Sequence, residues 1–179
     1  MAVLEHGKIN LILAKNGRKQ KMKKRTIICI GMVLTLLMGI IGCSPKQEAT
    51  MDIHAVWDTM EQEIEMPSMG EIDAETLSSL YPELPMDQVA EYEVHMAMVN
   101  IRAAEVALFE ATDADAAAAI KTSVAGRKDA LEQQWSMYLP DQYDLVKNAI
   151  LEVNGKYVIF IVGEFADQAK GIVDQALQG

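Results

Sequence analysis

The stretch "ILEVNGKYVIFIV", residues 150–162, decides the fold. Two apolar runs flank Asn154-Gly155. That pair favours a two-residue type I′ hairpin turn, because both central positions of such a turn need positive φ. "YVIFIV" is apolar at every position, so neither of its faces suits water and it belongs in the middle of a sheet. One hairpin needs further strands for independent stability. Upstream, "EYEVHMAMV" (91–99) alternates Tyr92, Val94, Met96 and Met98 with Glu93, His95 and Ala97, the period of two of a half-buried strand. "AEVALFEA" (104–111) reads as a second strand, joined to the first through "NIRA".

Between these strand pairs lies "DADAAAAIKTSVAGRKDALEQQWSMY" (113–138). Asp113 or Asp115 suits its N-cap. Ala117, Ile120, Val124, Leu131, Trp135 and Tyr138 recur at helical spacing, Gly126 weakens the helix locally, and Pro140 ends it. "VAGRKD" inside it is no phosphate loop. "DQYDLVKNA" adds a short helical piece. Downstream, residues 164–178 form a closing helix with Phe165, Ala169, Ile172, Val173 and Ala176 facing inward. Ahead of the strands, Asp52 caps a helix over 52–65 whose stripe is Ile53, Val56, Trp57, Met60 and Ile64. Its polar face is acidic, so it is expected to dock on the domain rather than on lipid. "MPSMG" (66–70) reads as a turn. Asp73 caps a short helix at 73–81 carrying Leu77, Leu80 and Tyr81, and the prolines of 82–87 break it. The expectation is an α+β fold: an antiparallel sheet of about four strands in ββαββα order, helices packed on one face, preceded by N-terminal helices. The segment 52–87 is read as helical and 88–179 as the α+β domain.

The N-terminus gives an address. "KMKKR" (21–25) precedes "TIICIGMVLTLLMGIIG" (26–42), which carries no charge. Basic, then apolar, then small is the layout of a secretory signal peptide. Ile40, Ile41, Gly42 and Cys43 resemble the bacterial lipobox. That resemblance implies a diacylglycerol on the Cys43 thiol, cleavage after Gly42 and further acylation, such as palmitate, on the new amine. Several chains anchor a protein firmly where one binds only marginally. An uncut signal anchor is the alternative. Residues 1–42 are thus a signal peptide, of which 1–21 form an upstream-start extension ahead of Met22. Residues 43–51 are the lipidated cysteine and tether. The expected location is the extracytoplasmic face of the cell membrane.

Composition narrows the partners. From residue 43 on, the chain holds 8 basic and 25 acidic side chains, a formal net of −17. Such a field repels nucleic acid and anionic headgroups. The chain has two cysteines. Cys29 leaves with the leader and Cys43 carries lipid, so no disulfide or thiolate chemistry remains.

"AAEVALFEA", then the long helix, then "YLPDQYDLVKNAILEVNGKYVIFIVGEFADQ", resembles a family of small bacterial lipoproteins, domain of unknown function forty-three fifty-eight, found mainly in low-GC Gram-positive bacteria. Glu105 ahead of Phe109, Tyr138 to Pro140, Tyr143, and Gly155 to Tyr157 carry the resemblance, over roughly residues 88–175. It implies a lipid-anchored extracytoplasmic domain of unassigned activity, with no catalytic residues to carry over.

The residues themselves single out no catalytic, cofactor or metal site. His54 and His95 lie on different elements and lack metal-ligand spacing. Met66-x-x-Met69 and Met96-x-Met98 have thioether spacings suited to Cu(I), yet Met96 and Met98 share a strand face with Val94, a core pattern. The acids Glu61, Glu63, Glu65, Glu71, Asp73 and Glu75 lack calcium-loop spacing. Tyr143 reads as a packing residue. The expected role is a non-catalytic binding or scaffolding module at the cell envelope, with a protein or peptide partner. A carboxylate-based envelope enzyme and Met/His metal handling are the alternatives.

Overall fold

The computed structural model describes residues 50–179. The leader, the cleavage position after Gly42, and Cys43 lie outside the described residues. The hairpin forms where expected: β4 (Ile150–Asn154) pairs antiparallel with β5 (Tyr157–Val162). The turn is shifted by one residue. Asn154 sits opposite Tyr157, so Gly155 and Lys156 are central, and of these only Gly155 has positive φ, at +57°. One positive φ at the first central position is the pattern of a type II′ turn, not the type I′ read from Asn154-Gly155. The apolar register of β5, which must bury Tyr157, sets the pairing.

Five strands form the sheet, in the order β1-β2-β3-β5-β4, all neighbours antiparallel. β2 is Val89–Ala97 and β3 is Glu105–Ala111. The strand beyond the expected four is β1, Met69–Glu71, within the stretch whose sequence suggests a turn. It pairs Met69 with Ala97 and Glu71 with His95. Three residues with Gly70 in the centre carry no periodicity, so only the pairing reveals them.

Five α-helices and a one-turn 3-10 helix at Met86–Gln88 complete the described residues. Asp52, Asp73 and Asp113 cap α1 (Ile53–Glu63), α2 (Ala74–Leu80) and α3 (Ala114–Trp135), each accepting from backbone N–H groups of the first turn. Such caps contribute about 1 kcal/mol each. α3 runs unbroken through Gly126. It stops at Trp135, so Tyr138, expected in its buried stripe, is 54% exposed. The chain then turns through Leu139, whose φ is 42°, and Pro140 starts α4 (Pro140–Lys147) in the first-turn position it suits. α5 is Ala166–Gln178.

The α+β class and the ββαββα order hold, but the helices cover both sheet faces rather than one. Val94, Ala107, Phe109, Val158 and Phe160 pack with Leu77, Tyr81, Ile120, Val124, Leu131 and Trp135, from α2, α3 and the residue after α2. On the other side, Val106, Leu108, Tyr157, Ile159 and Ile161 pack with Ile53, Trp57 and Met60 of α1, and with Ala169 and Val173 of α5. The reason lies in β3 and β5. Both are apolar on both sides, and each large side chain returned to water would cost about 1.5–3 kcal/mol. β2 does alternate, but its Glu93 and His95 face is buried beneath α1 rather than open to solvent.

Candidate functional site

The two ends of the sheet differ. At one end, Glu110 of β3 lies opposite Tyr157 of β5. The chain comes in there: Met51 N–H donates to the Tyr157 hydroxyl at 2.8 Å, and His54 of α1 meets Glu91 and Glu93 near the start of β2. At the other end, Glu105 lies opposite Val162. Here the β2–β3 loop exposes Met98, Val99 and Ile101, and the α3–α4 loop exposes Met137, Tyr138 and Leu139. Ile101 and Leu139 line one shallow pocket with Arg102 and Pro140. The tip is therefore built from two loops carrying six large apolar side chains.

Leu139 is the one non-glycine residue with positive φ among the described residues. A backbone held in the left-handed region costs a leucine about 1–2 kcal/mol. The conformation presents Tyr138 and Leu139 outward instead of folding them under α3. Beside the tip is a half-open cleft of about 570 Å³ between Glu65, Met66, Arg102, Gln142, Glu164 and Phe165. Gln142 Oε1 accepts the Ala103 N–H at 2.9 Å and steadies the β2–β3 loop. Arg102 and Glu164 pair at 3.6 Å, both exposed. Glu65 is exposed too, so neither acid of this cleft is shielded from water.

Each sheet face also holds one knot of polar side chains. Beneath α3, the Glu105 carboxylate accepts Arg127 Nη2 at 2.7 Å, Arg127 Nε at 3.1 Å, and the Tyr81 hydroxyl at 2.5 Å. All three side chains are nine-tenths buried or more. Burial pushes the Tyr81 phenol well above its ordinary range, and the Glu105 charge and hydrogen bond add to that. For Arg127, burial works against the charge, but the Glu105 charge and hydrogen bonds outweigh it, leaving the guanidinium above its ordinary value.

Beneath α1, Glu93 takes His54 Nδ1 on one oxygen and His95 Nε2 on the other. Trp57 stacks on the His95 ring at 3.6 Å with an interplanar angle of 8°. The Glu93 hydrogen bond raises the His54 pKa above 6.5; desolvation opposes this, and the charges of Glu93, Glu91 and Asp52 assist it.

The sequence thus separated residues that the fold brings together. His54 and His95 share one carboxylate, although 41 positions apart. The signal was available: Glu93 and His95 sit two apart on a strand, hence on one face. Nothing in the sequence marks Arg127 as a partner for Glu105, because strand-to-helix pairing leaves no local pattern. The methionine pairs do not converge: Met96 packs on the α3 side of the sheet, Met66 and Met69 on the α1 side, and Met98 accepts a contact from Ser68 Oγ at 3.6 Å. The acids Glu61, Glu63, Glu65, Glu71, Asp73 and Glu75 are all exposed. Among the described residues no group of three or more His, Cys, Asp or Glu is arranged to hold a metal. Tyr143 packs against the α3-side core, with Lys147 Nζ 5.0 Å from its ring centre.

The architecture defines an antiparallel five-stranded sheet between two helical layers. A family of that kind matches directly: the sequence model described as Domain of unknown function (DUF4358) covers residues 62–163, more than half of the chain, and the chain belongs to this family. The match begins within α1 and ends just after β5, so it takes in β1 and α2 and leaves α5 outside. No curated protein and no solved structure matches.

Proposed function

We propose that the chain is a lipid-anchored, non-catalytic binding module on the outer face of the cytoplasmic membrane, held through Cys43 and meeting an envelope protein or peptide through its apolar tip. The observation that carries this reading is the polarity of the domain. The chain comes in beside Tyr157, whereas six of the eight exposed large apolar side chains among the described residues lie in the two loops at the opposite end of β3 and β5, Met86 and Val153 being the exceptions. A seven-residue strand such as β3 is roughly 23 Å long, so the two ends are well apart. The chain thus joins the domain at the end of the sheet opposite the tip. The acidic surplus repels anionic headgroups, which favours a protein at the tip over lipid. Contiguous exposed apolar surface marks interaction sites.

Two measurements test the two halves. Intact-mass analysis of the membrane-extracted chain is expected to show an N-terminus at Cys43 with added acyl mass; an unprocessed start without lipid removes the anchor. A photo-crosslinking residue at Ile101 in the living cell is expected to give one discrete adduct, and the same probe at Asp115, at the opposite end, none. Equal labelling from both positions, or none from Ile101, overturns the tip.

A further inference from the structure

The shallow pocket at the tip and the cleft beside it are joined, because Arg102 and Gln142 line both. Together they make one groove with unlike halves. The smaller half, about 350 Å³, is walled by Ile101, Leu139 and Pro140, with Asp141 at its edge. The larger half, about 570 Å³, is walled by Glu65, Glu164, Gln142 and Gln168 around Phe165. Glu65 follows α1, Arg102 lies between β2 and β3, Gln142 is on α4 and Glu164 follows β5. Four separate segments thus meet at this end of the sheet.

Charge, hydrogen bonding and apolar surface each narrow what fits. The groove carries three carboxylates, Glu65, Asp141 and Glu164, all exposed. Its one cation, Arg102, is already paired with Glu164 at 3.6 Å. A cation entering the groove therefore gains and an anion loses, and the net of −17 from residue 43 on strengthens that bias. Gln142 commits its Oε1 to the Ala103 N–H, which leaves its side-chain N–H donors for an incoming carbonyl. Gln168 is exposed on the same wall and offers both a donor and an acceptor. In the smaller half, Ile101 and Leu139 are 54% and 38% exposed, so an apolar side chain laid on them leaves water.

We propose that this groove docks a segment of another envelope protein in which lysine or arginine stands beside large apolar side chains. The inference rests on the reading of the tip as a protein-binding surface and names the chemistry of its partner. The apolar side chain covers Ile101 and Leu139, the cation lies against Glu65 and Glu164, and the backbone meets Gln142. Exposed ion pairs add little affinity, so the acids select the partner and speed its approach while apolar contact holds it. A second copy of the chain has no such segment to offer. From residue 43 on, its one adjacent pair of cations is Arg127-Lys128, and Arg127 is buried against Glu105. Anionic lipid is repelled by the same acids.

Two measurements test this. In the living cell, the photo-crosslinking residue at Ile101 is combined with Glu65→Lys and Glu164→Lys. Both positions are exposed, so the melting temperature is expected to hold while the Ile101 adduct falls about tenfold. Mapping of the adduct is expected to place the crosslink in a segment with lysine or arginine beside apolar residues. An adduct that withstands the charge reversals, one of twice the chain's mass, one to lipid, or one to an acidic segment overturns the proposal. In the second measurement, the isotope-labelled full-length chain in non-ionic detergent is titrated with acetyl-Gly-Leu-Lys-Leu-Lys-Gly-amide. The same peptide with glutamate for lysine, and spermidine, are the controls. Saturable shifts at the backbone amides of Arg102, Ala103 and Gln142 with the basic peptide alone support the groove. Leu139→Asn is expected to weaken them about tenfold by removing apolar wall; asparagine tolerates positive φ, so the fold is kept. No saturable response to the basic peptide, or equal shifts with either control, overturns the proposal. The absence of any Ile101 adduct in the unaltered chain removes the reading of the tip itself, whereas an adduct indifferent to Glu65 and Glu164 removes only the basic partner.

Discussion

The two faces of the sheet solve one problem with different chemistry. Each buries a carboxylate of a strand under a helix. On the α3 side, Glu105 is held by a guanidinium and a phenol; on the α1 side, Glu93 is held by two imidazoles. The first set of partners moves away from neutrality, because Tyr81 and Arg127 both shift upward. In the second, the Glu93 hydrogen bond raises the pKa of the His54 imidazole from its ordinary 6.5. The comparison teaches that what pairs with a buried carboxylate decides whether a helix is pinned at every ordinary pH or only at some.

The largest effect belongs to the α3 side. Arg127→Met leaves the Glu105 charge buried without its cation, and is expected to destabilise by about 3–5 kcal/mol in urea denaturation. Replacing both partners, Arg127→Met with Glu105→Leu, should recover most of that loss; a double variant weaker than either single would show that the pair is not one unit. Tyr81→Phe removes one hydrogen bond to a charged acceptor, at a cost of about 1.5–3 kcal/mol. On the opposite face Glu93→Gln keeps an acceptor and is expected to cost only about 1 kcal/mol. A Glu93 effect as large as that of Arg127 would erase the contrast between the faces.

The smallest effect is the most specific. The folded pKa of His54 is raised, so its contribution is complete below the ordinary value of 6.5 and fades as pH climbs through the folded value. The stability gap between the unaltered chain and His54→Asn should therefore be wider at about pH 6 than at about pH 9. His54 is half exposed, and solvent screening keeps the gap under about 1 kcal/mol. A gap that widens with pH would reverse the assignment. The destabilisation by Tyr81→Phe should stay level over the same window.

The elements with strong local signals were legible: the β4–β5 hairpin, the long helix with its stripe from Ala117 to Trp135, and the three aspartate caps. The second helical layer was legible too, though only indirectly. "AEVALFEA" and "YVIFIV" are apolar at positions of both parities, and a sheet with one open face cannot hold such strands. Alternation in β2 pointed the other way, because Glu93 and His95 look like a solvated face until the imidazoles satisfy the carboxylate. β1 was illegible, since three residues around Gly70 have no period. The tip was half visible. Tyr138-Leu139-Pro140 stood out as a motif, but nothing local says that Leu139 takes a left-handed backbone and turns Tyr138 outward. The pairing of Arg127 with Glu105 depends on how α3 lies across the sheet, which no spacing encodes.

The bond from Met51 N–H to the Tyr157 hydroxyl has a mechanical consequence. Tyr157 opens β5, a strand with neighbours on both sides. Tension on the preceding chain is thus divided between α1 and an interior strand, and stripping α1 alone would wet Ile53, Trp57 and Met60. A tug from the N-terminal side meets two attachments in parallel, not a fraying end.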